Sequence, residues 1–386
     1  MVENPQMLES RLPETGTTIF AVMSRLAHDS GAINLSQGFP DFPVAPDLVE
    51  RVYAAMRAGH NQYAPMAGHP PLLEAIAGKL AGEYRCSVDP AEEVTITAGA
   101  TEALFAAILV LTQAGDSVIL FDPAYDSYEP AVRMAGCVPV RVPLEFPSYS
   151  VPWDRVREQI NDRTRLLVLN TPHNPTGTIL AERDIRELEE IVEQTGVRVL
   201  ADEVYEHLVF DEERHHSLLS RPALWGRCAS VFSFGKTFHA TGWKVGYAVA
   251  ERSLTREIRK AHQFITFAVN TPVQVALAEY LAEPEHYRSL AASFQSRRDL
   301  FLERLGDSGW APLPCAGTYF QLLSYDEQSD EQDTDLALRL IREHGVAAIP
   351  ISVFYKDPTD HHVLRFCFAK REETLVDAAD RLRQVW

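Results

Sequence analysis

Cationic residues are scarce in this chain: 36 Lys and Arg stand against 54 Asp and Glu, a formal net charge of −18 with a pI near 5.2. A surface of that sign repels nucleic acid and anionic lipid, so any anionic ligand has to be held by local groups and neither nucleic acid nor membrane is expected as a partner. No apolar run approaches the roughly 18 residues of a membrane span. The Met1–Ser10 segment has neither a basic n-region nor an apolar core, so export is not expected and the protein is read as cytoplasmic. Cysteines are few and odd in number, at 86, 137, 228, 315 and 367, with no Cys-x-x-Cys spacing. That pattern argues against a disulfide framework and a zinc knuckle and favours reduced, mostly buried thiols. The His215-His216 and His361-His362 pairs send neighbouring side chains in different directions, whereas metal ligands have to converge; they read as loop histidines, and no metal is expected. Internal repeats and low-complexity linkers are also missing.

What is present is a chain of 386 residues, 46% hydrophobic, long enough for more than one core. Between residues 94 and 250 short β-branched runs alternate with helical stretches: Val94–Thr97, Ser117–Phe121, Val138–Val142, Arg165–Asn170, Val197–Ala201, Ala229–Ser233 and Val245–Ala250. The alternation predicts an α/β fold with a mostly parallel central sheet of seven strands covered by helices on both faces. After Arg252 long helical periodicity takes over, with a helix expected through Ile258 to Phe267. Shorter strands follow near Tyr319–Leu323, Ala347–Ile349 and Val363–Phe368, as in a smaller α+β domain. The expected division is 1–44 for an N-terminal arm and part of the small domain, 45–275 for the large domain and 276–386 for the C-terminal small domain. Tyr325–Asp335 holds six acidic residues and no basic one, and reads as a solvated loop.

Ligands of such sheets sit beyond the carboxyl ends of the strands. Gly99-Ala100-Thr101 follows the first run, Tyr125 the second, Asn174 the fourth, Asp202 and Tyr205 the fifth, and Lys236 the sixth. Alone, Lys236 in Ser233-Phe234-Gly235-Lys236-Thr237 reads as a solvated surface residue. Its neighbours change that reading, because Lys244 and the apolar Phe234, Phe238 and Trp243 supply the nearby cation and the desolvation that activate an amine for imine formation. Asp202 reads either as a turn cap or as a carboxylate that keeps a pyridinium nitrogen protonated, which makes the ring an electron sink. The backbone of Gly99, Ala100 and Thr101 opens an apolar helix, where a phosphate is welcome, and Ser233 and Lys244 add donors from a distant part of the chain. Arg365, in the apolar run Val363–Phe368, reads as a surface ion pair or as a planar fork for an α-carboxylate. Together these residues describe a pyridoxal phosphate site.

The chain resembles the class I/II pyridoxal phosphate aminotransferases of fold type I, over essentially its whole length. Within them it is most similar to methionine aminotransferases and kynurenine (glutamine) transaminases. The motifs that carry the resemblance are Asn34-Leu35-Ser36-Gln37-Gly38-Phe39-Pro40-Asp41-Phe42, Asn61-Gln62-Tyr63-Ala64-Pro65, Thr97–Ala103, Asn170–Gly177 and Cys315-Ala316-Gly317-Thr318-Tyr319-Phe320. It implies that Lys236 forms the imine with pyridoxal 5′-phosphate, that Asp202 pairs with the ring nitrogen, and that Asn174 and Tyr205 hydrogen-bond the ring hydroxyl oxygen. Tyr125 would stack on the ring. Ala100, Thr101, Ser233 and Lys244 would hold the phosphate, joined by Tyr63 from a partner subunit of a homodimer. Gly38 and Arg365 would receive the substrate carboxylate. Many relatives carry arginine at the position of Lys244, where lysine keeps the charge but not the bidentate fork.

The expected reaction is ping-pong transamination between an amino acid and its 2-oxo acid. Ile19, Phe20, Tyr63, Tyr125 and Phe267 make the expected pocket apolar, which favours methionine, aromatic or kynurenine-like donors over aspartate and glutamate. Two rivals remain at this stage. A carbon-sulfur β-lyase of the cysteine-conjugate or cystathionine type would use the same Lys236 and Asp202 but eliminate from Cβ. An aminotransferase-like effector domain of a transcription regulator would need a basic helix-turn-helix ahead of the fold, where this acidic chain is expected to enter the catalytic fold almost at once.

Overall fold

The computed structural model describes residues 10–357 and 359–386. Residues 1–9 of the expected N-terminal arm lie outside the described residues. In chain order the strands are β1 (Ile33–Asn34), β2 (Val94–Thr97), β3 (Ser117–Asp122), β4 (Val138–Pro143), β5 (Thr164–Asn170), β6 (Arg198–Asp202), β7 (Cys228–Ser233), β8 (Gly246–Ala250), β9 (Ala311–Pro312), β10 (Phe320–Ser324), β11 (Val346–Ala347), β12 (Ile349–Pro350) and β13 (Val363–Cys367). Strands β2 to β8 form one seven-stranded sheet in the order β2-β8-β7-β6-β5-β3-β4. Its pairings are parallel except those of β8, which runs against both β2 and β7. Every residue of β2, β3 and β8 is buried, as expected of strands covered on both faces. The Val-Pro-Val-Arg-Val-Pro run of β4 forms an edge, where a proline costs no ladder hydrogen bond and blocks further pairing.

The reversed strand positions the site. Because β8 is antiparallel, its first residue lies at the carboxyl ends of its neighbours: Gly246 is in register with Ser233 at the end of β7 and with Thr97 at the end of β2. Lys244 ahead of β8, Ser233 and the Gly99–Leu111 helix therefore meet at one edge, although about 140 residues of sequence separate the first from the last.

Outside this sheet, β1 pairs in parallel with β11, and β12-β13-β10-β9 form a four-stranded antiparallel sheet. The Arg252–Ile265 helix packs on Gly99–Leu111, and the Thr271–Leu281 helix on Pro46–Arg57 and Pro70–Tyr84. Among the described residues no helix is long and apolar enough to cross a membrane.

Some expectations change. The helix expected through Ile258–Phe267 begins at Arg252, where the Glu251 side chain accepts from Ser253 N, and it stops at Ile265, with Phe267 left-handed at φ 70°. The Ala347–Ile349 run divides between β11 and β12, which belong to different sheets. The acidic segment is not wholly solvated, because Asp333 is buried and accepts from Ser352 N and Oγ at 2.8 and 2.6 Å. Nor is His215 a free loop side chain: it is packed away from solvent with its Nε2 2.7 Å from Glu203.

Candidate active site

A cavity of about 170 Å³ opens at the carboxyl ends of the central strands, lined by Asp202, Tyr205, Lys236, Asn174 and Tyr125 on one side and by Gly99, Ala100, Thr101, Ser233 and Lys244 on the other. The sequence places these residues on separate loops, and the topology brings them together. Asp202 ends β6 in the sheet interior, 4% exposed. Its Oδ2 accepts from Tyr128 Oη at 2.7 Å and its Oδ1 from Val204 N at 3.3 Å. The second contact is the turn cap expected of an aspartate after a strand, so Asp202 serves that role while still facing the cavity. Burial pushes its carboxyl up from 3.8 to about 6, against the opposing pull of Tyr128, Val204 and Lys236.

Lys236 stands in the four-residue helical turn Phe234–Thr237 directly after β7, with its backbone N donating to Ser233 Oγ at 3.3 Å. Its Nζ donates to the Gly38 carbonyl at 3.2 Å and to Tyr319 Oη at 3.0 Å. Burial lowers the amine from 10.5 to about 8, with Arg365 and Lys244 lowering it further and Asp202 opposing them. Tyr205 lies under this amine, its ring centroid 5.6 Å from Lys236 Nζ, and Tyr125 packs edge-on against Tyr128 at 5.6 Å.

At the opposite rim Lys244 adopts a left-handed backbone, φ 54°, and its Nζ comes within 3.4 Å of Thr101 Oγ1. Gly99 has φ +74°, and a Cβ there would lie 3.4 Å from the Lys244 side chain, so both the backbone and the space suit glycine. A helix N-terminus, two hydroxyls and an ammonium that donate at one end and a buried carboxylate that accepts at the other suit a phosphorylated ring with a protonated nitrogen.

Arg365 is fully buried, so the surface ion pair considered from the sequence does not exist. Its Nη1 donates to Asn174 Oδ1 at 2.8 Å and its Nη2 to the Ser36 carbonyl at 2.9 Å, while Nε has no partner among the described residues. No carboxylate pairs with it among the described residues. The guanidinium carbon lies 3.9 Å from the Phe320 ring centroid, 5.2 Å from that of Phe20 and 5.5 Å from that of Phe354. Desolvation lowers even this group, to about 10.

Four residues of the expected apolar pocket do not line the cavity: Ile19 borders an outer groove with Phe354, Phe20 packs on Phe354 beside Arg365, and Tyr63 and Phe267 pack on each other. Tyr63 is 82% exposed and packs edge-on against Phe267 at 5.3 Å, outside the cavity of its own chain. Three residues escaped the sequence reading. Tyr128 opens the Tyr128–Met134 helix, three residues after Tyr125, which lies in the loop ahead of it. Asn170 donates to the Asp202 carbonyl at 2.8 Å and accepts from Asn174 N at 2.7 Å, tying two of the site loops together. Tyr319 lies in an apolar run where a tyrosine looks like core.

The aminotransferase class I and II family model matches residues 30–382. The methionine aminotransferase of Escherichia coli K12 is 49% identical over 386 residues, 100% of both chains, and its crystal structure superposes with a TM-score of 0.97, covering 99% of this chain and 100% of that one. A probable N-succinyldiaminopimelate aminotransferase of Mycobacterium tuberculosis is 39% identical, over 97% of this chain and 98% of the relative. Mouse kynurenine–oxoglutarate transaminase 1 is 33% identical, over 98% and 97%. The chain belongs to the aminotransferase class I and II family, whose members depend on pyridoxal phosphate, and is a transaminase.

Proposed function

We propose that this transaminase moves amino groups between methionine, aromatic or kynurenine-like amino acids and 2-oxo acids, with pyridoxal 5′-phosphate in the cavity above Asp202. The observation that carries the donor class is Arg365: a buried cation with neutral hydrogen-bond partners and a bare Nε, walled by Phe20, Phe320 and Phe354. Such a group is matched by an incoming α-carboxylate, gripped by a planar fork. The apolar wall beside it favours donors without a second charge.

Pyridoxal phosphate, when bound, supplies a carbonyl that condenses with amines and a protonated ring that takes up the electron pair released at the substrate Cα. Asp202, oriented by Tyr128, would hold the ring nitrogen in its protonated form. Asn174 and Tyr205 would receive the ring oxygen, and Tyr125 would cover the ring face. Gly99, Ala100, Thr101, Ser233 and Lys244 would hold the phosphate. Lys236 would carry the covalent link and, once displaced by the substrate amine, take the proton from Cα. Gly38 and Arg365 would fix the carboxylate, with Ile19 and Phe20 on the side-chain wall.

We further read the enzyme as a homodimer in which Tyr63 serves the neighbouring chain's phosphate, a reading supported by its 82% exposure beside the half-exposed Phe267. Residues 45–275 would form the cofactor-binding domain, and 1–44 with 276–386 the small one, in line with the β1–β11 pairing. The free, buried cysteines fit a reducing cytoplasm. The relatives named for methionine and kynurenine support an apolar donor. A panel of amino acids with several 2-oxo acids tests this, with N-succinyldiaminopimelate included because a relative is named for it. Preference for aspartate or glutamate over methionine, phenylalanine and kynurenine would overturn the apolar-pocket reading. Pyruvate and ammonia released from cysteine conjugates without an oxo acid would measure the competing carbon-sulfur elimination.

A further inference from the structure

Tyr319 is almost wholly buried, just ahead of β10, and its ring is fixed edge-on against Tyr205 at 5.1 Å and against Phe320 at 4.9 Å. Packing of that kind needs only a phenyl ring. The hydroxyl does something else: it donates to the Gly38 carbonyl and accepts from Lys236 Nζ at 3.0 Å, while the same Nζ also donates to Gly38 O at 3.2 Å. Three groups from three distant parts of the chain thus close a small hydrogen-bonded triangle. Gly38 reaches it because it lacks a side chain, since a Cβ there would sit 2.8 Å from Phe320 Cζ.

We propose that Tyr319 is a positioning residue whose hydroxyl, with the Gly38 carbonyl, holds the Lys236 amine whenever that amine is not covalently engaged and fixes the pH at which it gains its proton. The inference rests on the reading of Lys236 as the reactive lysine. An ammonium offers three N–H donors, and in a buried site each one left without an acceptor weakens the charged form. Tyr319 and Gly38 supply two acceptors. Besides Tyr205, whose ring lies 5.6 Å from Nζ and whose burial keeps its hydroxyl protonated, the charged and titratable groups acting on the amine include Asp202 and Cys367, which favour the ammonium, and Arg365 and Lys244, which oppose it. Tyr319 is thus a neutral oxygen that supports the protonated lysine in a site whose burial disfavours it.

The test is Tyr319→Phe in the full chain freed of cofactor. Trace acetylation with acetic anhydride, referenced to an added peptide amine and quantified on the Lys236 peptide by mass spectrometry across pH, reads the fraction of neutral amine directly. Losing one hydrogen bond to a charged group should move the midpoint down by about one to two pH units. Tyr325→Phe removes another buried hydroxyl, one that donates to Glu331 O, and should leave the midpoint in place. Thermal unfolding of each variant checks that the ring packing survives. A Tyr319→Phe midpoint within about half a unit of wild type, or shifted upward, would overturn the proposal and leave Tyr319 a core tyrosine. The function reading fails separately: a Lys236→Ala chain that still transaminates removes the reactive lysine itself, whatever Tyr319 does.

Discussion

Replacing Asp202 by Asn should make the cofactor-free chain more stable while it cripples catalysis. The carboxylate sits 4% exposed at the end of β6, and its hydrogen bonds from Tyr128 and Val204 and the attraction of Lys236 do not offset its burial, so its pKa rises from 3.8 to about 6. A carboxyl whose folded pKa lies above its unfolded one binds protons more tightly in the native state, so between these values stability falls as pH rises. Above pH 6 the folded chain carries the full penalty of the ionised group, about 3 kcal/mol for that difference. At pH 5.0 the penalty is about half as large, and below 3.8 it vanishes. Asparagine is neutral and nearly isosteric, and its one acceptor oxygen can keep the Val204 N contact while its amide group donates to Tyr128 Oη. Urea unfolding of both full chains without cofactor should therefore show the variant ahead by about 3 kcal/mol at pH 7.5 and by about half that at pH 5.0. The loaded variant should lose transamination by orders of magnitude, since an amide does not favour a protonated ring nitrogen. A variant no more stable than wild type at pH 7.5, or one whose gain is the same at both pH values, would refute the reasoning.

The central sheet was legible because all its strands but the edge strand β4 are largely buried on both faces and so appear as β-branched runs, and each run matches an observed strand to within about two residues. The site loops were legible for a related reason: in such a sheet the carboxyl ends are the only place where unusual residues such as Asn174, Asp202 and Lys236 can gather. Tyr128 and Tyr319 were harder to see, because a hydroxyl on an otherwise apolar ring leaves no periodic trace and its partner lies 74 or more residues away. His215 was hidden likewise, its partner Glu203 lying on the turn after β6. Arg365 was ambiguous in the opposite direction. A charge in an apolar run normally marks a solvent-facing position, and only the burial of both faces of β13, by Phe320 and its neighbours on one side, reveals a cation that no carboxylate contacts among the described residues.

The remaining residues separate binding, specificity and assembly. Arg365→Lys keeps the charge but cannot span Asn174 and Ser36 while presenting an edge to a ligand, so kcat/KM should fall about 10- to 150-fold, corresponding to about 1.5–3 kcal/mol, by a similar factor for every donor. A spread of more than tenfold among donors would show that Arg365 reads side chains as well. Phe20→Asn should instead penalise methionine and phenylalanine more than alanine, by about 1 kcal/mol or more per methylene lost from apolar contact; equal losses for all three would remove Phe20 from the side-chain wall. Tyr63 tests the assembly. It projects from its own chain with 82% exposure, packed edge-on against Phe267 at 45%, an apolar surface that a second copy would cover. If Tyr63 completes the neighbour's phosphate site, a Lys236→Ala chain and an inactive Tyr63→Phe chain carry lesions that fall on different sites. In a mixed dimer one site then receives both lesions and the other neither. Equal mixing with random exchange makes half the dimers mixed, so about a quarter of all sites should regain activity. No recovery after subunit exchange has been verified by native mass spectrometry would place Tyr63 outside the neighbouring chain's site.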